Sequence, residues 1–261
     1  MKLFCITFIF LAITSSVYPQ LADTINRTDT KGMKQGYWIK KYPNGNRQYE
    51  GYFRNDKPVG ILRRYFDTDT LRSVMMHKPD GKTVETIIYH PNGYIASKGT
   101  FVNQIKEGIW EFYSSASKNH LMLSETYHDN LKDGETLKYY PSGAILEKMN
   151  YSKDIKNGSW TQYYPDGRIC LKTNYVNGKL EGKFEVLYPD GKPQYTGVYR
   201  NDSRDGKWKV FNTDGSLKKE IEYVMGKAKN PELIKEETEY LDALEKNKGK
   251  IADPEKTGTI W

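Results

Sequence analysis

Between Gly36 and Gly226 apolar and polar residues alternate in short runs that stop at regular intervals. The runs Phe184, Val186, Tyr188 and Trp208, Val210 place an apolar side chain at every second position, the spacing that puts side chains on one face of a strand. A turn tripeptide follows, and a second run such as Ile169, Leu171, Thr173, Tyr175 alternates in the same way. Pro43, Pro91, Pro141, Pro165 and Pro189 preset φ near −65°, an Asn, Asp or Ser comes next, and a Gly takes the left-handed position. That is the chemistry of a type I turn closed by a glycine bulge, hence of a tight β-hairpin.

The unit recurs. Its anchor glycines are Gly36, Gly60, Gly108, Gly134, Gly158, Gly182 and Gly206, at steps of 24, 48, 26, 24, 24 and 24 residues. The step of 48 hides a degenerate copy at Val84, because His90-Pro91-Asn92-Gly93 falls where Tyr42-Pro43-Asn44-Gly45 falls in the first copy. The step of 26 reflects two extra residues in the Ser114–His120 turn. Trp38, Trp110, Trp160, Trp208 and Phe184 stand two residues after their anchors, and each copy closes on an aromatic such as Phe53, Phe101, Tyr127, Tyr151, Tyr175, Tyr199 or Tyr223. Eight hairpins joined by short turns predict an all-β fold: an elongated, twisted, single-layer antiparallel sheet of roughly 16 strands. Each first strand is expected to start at its anchor glycine.

Composition fits a thin sheet. The chain of 261 residues is 37% hydrophobic, yet it has 21 Tyr and 22 Gly. Its net charge of +7 arises from 40 basic and 33 acidic residues of interspersed sign, so it reads first as a solvated surface and only second as attraction to an acidic one. Met1-Lys2, the apolar run Leu3–Ile13 and Thr14-Ser15-Ser16 have the order of a secretory signal, which assigns 1–19 to a signal peptide and the protein to an exported compartment: periplasm, outer-membrane-associated or secreted. Residues 20–35 read as a polar lead-in and 36–229 as the repeat domain. Residues 230–248 open on Asn230-Pro231 and carry Leu233, Ile234, Tyr240, Leu241 and Leu244 near helical spacing, predicting a C-terminal α-helix over the open sheet edge. Residues 249–261 read as an extended tail.

Gly-x-Trp-x-x-Tyr-Tyr-Pro-Asp-Gly, a Tyr seventeen residues after the Gly, and Asn-Gly-Lys-x-x-Gly resemble the bacterial MORN-type repeat, in particular the YwqK family of toxin–antitoxin antitoxins, over residues 36–227. The resemblance implies a single sheet of hairpins acting as a scaffold or membrane-associated adaptor, with binding of acidic lipid or an antitoxin-like occlusion of a partner as alternatives.

Catalytic chemistry is hard to find in this pattern. His77, His90, His120 and His128 lack metal-ligand spacing, and His77 and His90 occupy positions that other copies fill with aromatics. No phosphate loop, dinucleotide fingerprint or nucleophile elbow is present, and Cys170 sits between Ile169 and Leu171. The reading is therefore a non-enzymatic protein with no catalytic, metal or cofactor site and no nucleic-acid partner. What remains is surface. The tryptophan stripe reads as sheet packing. The other face reads as mostly polar, with a row five residues after the anchors, Tyr65, Tyr89, Tyr113, Tyr139, Tyr163 and Phe211, as the candidate binding face for an envelope protein or glycan.

Overall fold

The computed structural model describes residues 25–233. The expected signal peptide, the extended tail and nearly all of the expected C-terminal helix lie outside them; only Pro231–Leu233 is described there, as one 3-10 turn.

The strands in chain order are β1 (Arg27–Thr28), β2 (Lys34–Lys41), β3 (Arg47–Arg54), β4 (Lys57–Tyr65), β5 (Leu71–His77), β6 (Thr83–Tyr89) and β7 (Ile95–Val102). There follow β8 (Ile105–Tyr113), β9 (Leu121–His128), β10 (Leu131–Tyr139), β11 (Ile145–Ser152), β12 (Ile155–Tyr163) and β13 (Ile169–Val176). The last are β14 (Lys179–Leu180), β15 (Gly182–Leu187), β16 (Pro193–Arg200), β17 (Ser203–Phe211), β18 (Leu217–Val224) and β19 (Lys227–Ala228). Every strand pairs antiparallel with its neighbour in sequence, except that β14 and β15 are one strand interrupted at Glu181 and both pair with β13. The result is one open meander of 19 strands. Eight hairpins account for all but β1 and β19, so the excess over sixteen is the interruption at Glu181 and one short strand at each end.

The turns after the first strands are as the residues require. Tyr42 O accepts from Gly45 N at 3.0 Å, Tyr42 N donates to Asn46 O at 2.8 Å, and Gly45 has φ +88°. At the opposite edge two-residue turns place both residues at positive φ, as in Asn201 (49°) and Asp202 (66°), the mirror-image type that matches strand twist. These turns are shorter than the sequence suggests, because Lys179-Leu180 already belongs to a strand. The first strands therefore begin two or three residues before their anchors, and the anchor glycine lies inside the strand.

There it makes a bulge. Between Met149↔Trp160 and Tyr151↔Lys156, β12 spends two residues more than β11, with Gly158 at φ +109° in the gap. A left-handed residue at each such gap bends the strand and increases twist, and only glycine takes it without a Cβ penalty. The Val84 copy confirms the rule by exception: Val84 pairs with His77, and β5 and β6 run in register without a bulge.

Two further rows tie each repeat to the next. The ring before the turn proline reaches over the following hairpin: Tyr42, Tyr140, Tyr164 and Tyr188 donate to Tyr65 O, Tyr163 O, Leu187 O and Phe211 O at 2.9, 2.7, 2.7 and 2.9 Å. His90 takes the same place, its Nε2 lying 3.1 Å from Tyr113 O, which explains why histidine substitutes there. At the other edge, Asp56, Asp154 and Asp202 accept through Oδ1 from the backbone N–H of Lys34, Lys132 and Leu180 at 2.9, 2.8 and 2.9 Å.

The lead-in is more structured than its polarity predicts. Asn26 N donates to Tyr37 O, Asn26 Oδ1 accepts from Ile39 N, and Trp38 Nε1 donates to Arg27 O, so residues 26–28 cap the first sheet edge.

Candidate interaction faces

Strand alternation divides the ribbon into two faces. The tryptophan face collects the residues two and four after each anchor and the matching residues of the second strands. Trp110, Trp160, Phe184 and Trp208 are buried there. Trp38, on the first full strand, is half-buried. Phe184 and Tyr199 meet edge-on at 5.3 Å, and Tyr199 and Trp208 at 5.0 Å, geometries the ring quadrupole favours.

Two features of this face went unread in the sequence. Gly99 and Gly197 of the second strands leave room for the indoles of Trp110 and Trp208, which lie directly over them. A basic residue two before the anchor stands over the rings: Lys34 over Trp38, Tyr49 and Phe53, Lys106 over Trp110 and Tyr127, Lys156 over Tyr175, and Arg204 over Trp208 and Tyr223, at 4.7 to 5.7 Å. The recurring Lys-Gln-Gly, Lys-Glu-Gly, Lys-Asp-Gly, Lys-Asn-Gly and Arg-Asp-Gly triplets were the available signal. Glu125 is buried on the same face, bonded by Lys132 and by the Tyr127 hydroxyl.

The opposite face holds the candidate binding row. Tyr89, Tyr113, Tyr139, Tyr163 and Phe211 are half-buried, whereas Tyr65 is buried. The Tyr65 hydroxyl donates to Glu50 Oε1 at 2.5 Å and the Arg47 guanidinium lies 4.1 Å over its ring. Burial, then the Glu50 carboxylate, pushes the Tyr65 phenol up to about 12. Tyr113 donates to Glu111 at 3.0 Å beside the Lys98–Glu111 pair, and burial raises its pKa, as it does that of Tyr139.

This face is not polar throughout, which corrects the sequence reading. Its C-terminal half is a lattice of ion pairs, Lys148–Glu135, Lys172–Glu185 and Lys207–Glu220 at 3.0, 2.9 and 2.7 Å. Its N-terminal half sets apolar side chains among charged ones: Tyr37 and Tyr52 in contact, then Ile61, Val74, Met76, Ile87 and Ile109, with the pairs Lys78–Glu85 and Lys98–Glu111 between them. Tyr52 is 50% and Ile109 63% exposed. Two shallow depressions of about 600 and 550 Å³ lie there, the first lined by Tyr37, Tyr52, Val59, Ile61 and Arg63, the second by Met76, Ile87, Thr100 and Ile109. Exposed Arg54 and Arg63 stand beside the first and form no ion pair among the described residues.

Groups of three or more His, Cys, Asp or Glu placed to hold a metal are absent among the described residues. Cys170 is half-buried, and burial raises its thiol pKa, away from the thiolate.

Five segments, residues 34–55, 132–153, 156–177, 180–201 and 204–225, match the family model described as the MORN repeat variant. These five hairpins are MORN repeats. The matched segments are the first and the last four hairpins; the hairpins between them keep the same geometry although Leu62 and Thr86 replace the tryptophan and Val84 replaces an anchor. No curated protein matches the chain. Solved structures with local likeness include one titled "Crystal Structure of TcdB2-TccC3-Cdc42", at 11% identity and a TM-score of 0.21 over 71% of this chain and 13% of that one. Another, "Crystal Structure of TcdB2-TccC3", is at 10% identity and a TM-score of 0.20 over 77% of this chain and 16% of that one. The chain thus spans only a small part of either.

Proposed function

We propose that this protein is a non-enzymatic MORN-repeat scaffold that holds a protein partner against the N-terminal half of its opposite face, where apolar side chains stand exposed. The observation that carries the reading is the exposure of Tyr52, Ile61, Met76 and Ile109 on one face of the first, second and fourth hairpins, with Ile87 of the third half-buried between them. Contiguous apolar surface on a rigid layer marks contact with another molecule, and regularly spaced hairpins let weak contacts add. The row of half-buried tyrosines continues this surface and suits a protein or glycan edge. The N-terminal pattern supports an exported protein working in a bacterial envelope. Photo-crosslinkers at Ile109 and, as control, at Asn174 test it in the native compartment. One discrete adduct at Ile109 that is lost with Ile61→Asp is expected; equal labelling at both positions, or none, refutes it.

A second reading has its own support. Arg54 and Arg63 beside apolar side chains also suit an acidic bilayer surface. It requires binding to vesicles containing phosphatidylserine that weakens with salt and is absent on phosphatidylcholine. The antitoxin-like alternative needs a cytosolic chain with its N-terminus retained, which N-terminal sequencing of the native protein decides.

A further inference from the structure

The net charge of the chain is concentrated at one end of the sheet. Residues 25–78 hold 12 Lys and Arg against 5 Asp and Glu, a net +7 that equals the whole chain's, so the remaining residues sum to zero. On β2 to β5 the one carboxylate is Glu50, and it is already engaged. It accepts from the Tyr65 hydroxyl, pairs with Arg47 at 3.5 Å and, after burial, is the next cause raising the Tyr37 phenol.

Three cations of this end share the opposite face. Arg54 and Lys57 are register partners beside the pair Tyr52↔Val59, and Arg63 lies on the same side of β4 as Ile61. Arg54 and Arg63 line the depression of about 600 Å³ together with Tyr37, Tyr52, Val59 and Ile61. All three cations are exposed, and none forms an ion pair among the described residues. The other repeats serve as an internal control. Arg54, Lys57 and Arg63 stand six before, three before and three after the anchor Gly60. At the same distances from Gly158 stand Ser152, Ile155 and Thr161, and no other repeat has Lys or Arg at all three positions. Ser152↔Ile155 keeps the pairing of Arg54↔Lys57, so the hairpin does not need these cations. Unpaired cations around an apolar depression match a ligand with carboxylates beside an apolar side chain.

A bilayer and a protein segment both offer such chemistry, and the shape of the patch favours the segment. The positive stretch ends with the second hairpin, because Lys78–Glu85 and Lys98–Glu111 beyond it are paired at 2.6 and 2.7 Å. Strands also twist relative to one another, so a plane meets only a few of them, whereas a segment can follow the turn. We propose that the first two hairpins take an acidic segment of the protein partner, one apolar side chain entering the depression between Tyr52 and Ile61 and the Asp or Glu on either side pairing with Arg54, Lys57 and Arg63. The inference rests on the reading of this face as a protein-docking surface and adds the chemistry of what docks.

The probe is a dye-labelled peptide, Gly-Glu-Asp-Phe-Asp-Glu-Gly, titrated with the full chain by anisotropy beside its amide form, Gly-Gln-Asn-Phe-Asn-Gln-Gly. The acidic peptide is expected to bind about tenfold more tightly at low salt and to lose most of that preference at high salt. Arg54→Ser with Arg63→Thr, the residues the chain itself carries around Gly158, removes the preference; Arg54→Glu with Arg63→Glu turns it toward Gly-Lys-Arg-Phe-Arg-Lys-Gly. Equal affinity for the acidic and amide peptides, or a preference that survives Arg54→Ser with Arg63→Thr, overturns the inference. So does charge-dependent binding to phosphatidylserine vesicles with none to the acidic peptide. An Ile109 adduct that is lost with Ile61→Asp but indifferent to Arg54→Ser with Arg63→Thr overturns it while leaving the scaffold reading intact; no adduct at all overturns both.

Discussion

The indole of Trp208 lies flat on the backbone of Gly197: a Cβ at Gly197 would stand 2.2 Å from Trp208 Cδ2, and the ring nitrogen donates to Val198 O at 3.2 Å. Gly99 and Trp110 repeat the arrangement at 2.3 Å, with Trp110 Nε1 donating to Thr100 O. The glycine weakens its own strand and the tryptophan of the next hairpin covers the gap, so these two repeats are incomplete without their successors.

Gly197→Ala should therefore cost more than its size suggests, because the added methyl meets a ring fixed on both sides. Overpacking of this kind destabilises by about 1–3 kcal/mol. Gly206→Ala is the informative comparison. A Cβ there meets nothing within 4 Å, but φ is +65°, so its cost is backbone strain of about 1–2 kcal/mol. Urea unfolding of both variants measures the two effects, and Trp208→Ala combined with Gly197→Ala should cost less than the sum of the single changes.

The row of phenols over the turns predicts a graded edge effect. Tyr164→Phe removes the donor to Leu187 O at 2.7 Å and should lower stability by about 0.5–1.5 kcal/mol. Amide exchange at Tyr188 and Gly191 should accelerate while exchange in β2 and β3 stays unchanged, since the bond joins only adjacent hairpins.

Acid should loosen the C-terminal half through Glu147. Burial alone would raise its pKa, but Lys138 at 2.8 Å and the Gln162 amide at 2.9 Å outweigh that and hold it below the usual carboxylate range. A depressed folded pKa gives stability that is complete above the unfolded value, about 4.3, and is lost as pH falls through the folded one. Glu147→Gln should flatten the pH dependence of the unfolding midpoint below that value and leave it unchanged near neutrality.

Alkaline titration isolates Tyr65. Its pKa of about 12 means stability that is fully present below the unfolded phenol value, near 10, and lost as pH rises through 12. Phenolate absorbance should show a late-ionising tyrosine that disappears in Tyr65→Phe and shifts earlier in Glu50→Gln.

The hairpins, their number and the glycine turns were legible because each depends on a local device: alternation, a proline with fixed φ, a residue that tolerates positive φ. Even the tryptophan stripe was legible, since its spacing from the anchor is constant. What escaped was non-local. The anchors look like strand starts in sequence, and only pairing to the preceding strand shows Gly158 as a bulge. Gly197 carries no turn signal, so its meaning lies in a ring eleven residues away. The exposed apolar side chains in the N-terminal half of the opposite face were hidden by reading the regular copies first. Ile61, Met76 and Ile109 stand in hairpins that lack the proline-glycine turn, and there the polar consensus does not apply.

The first and last strands never meet. A closed barrel fixes its strand number, but here nothing downstream registers how many hairpins came before. Gene slippage by one unit would alter only the reach of the molecule, and unfolding under tension should peel it from either end in equal steps.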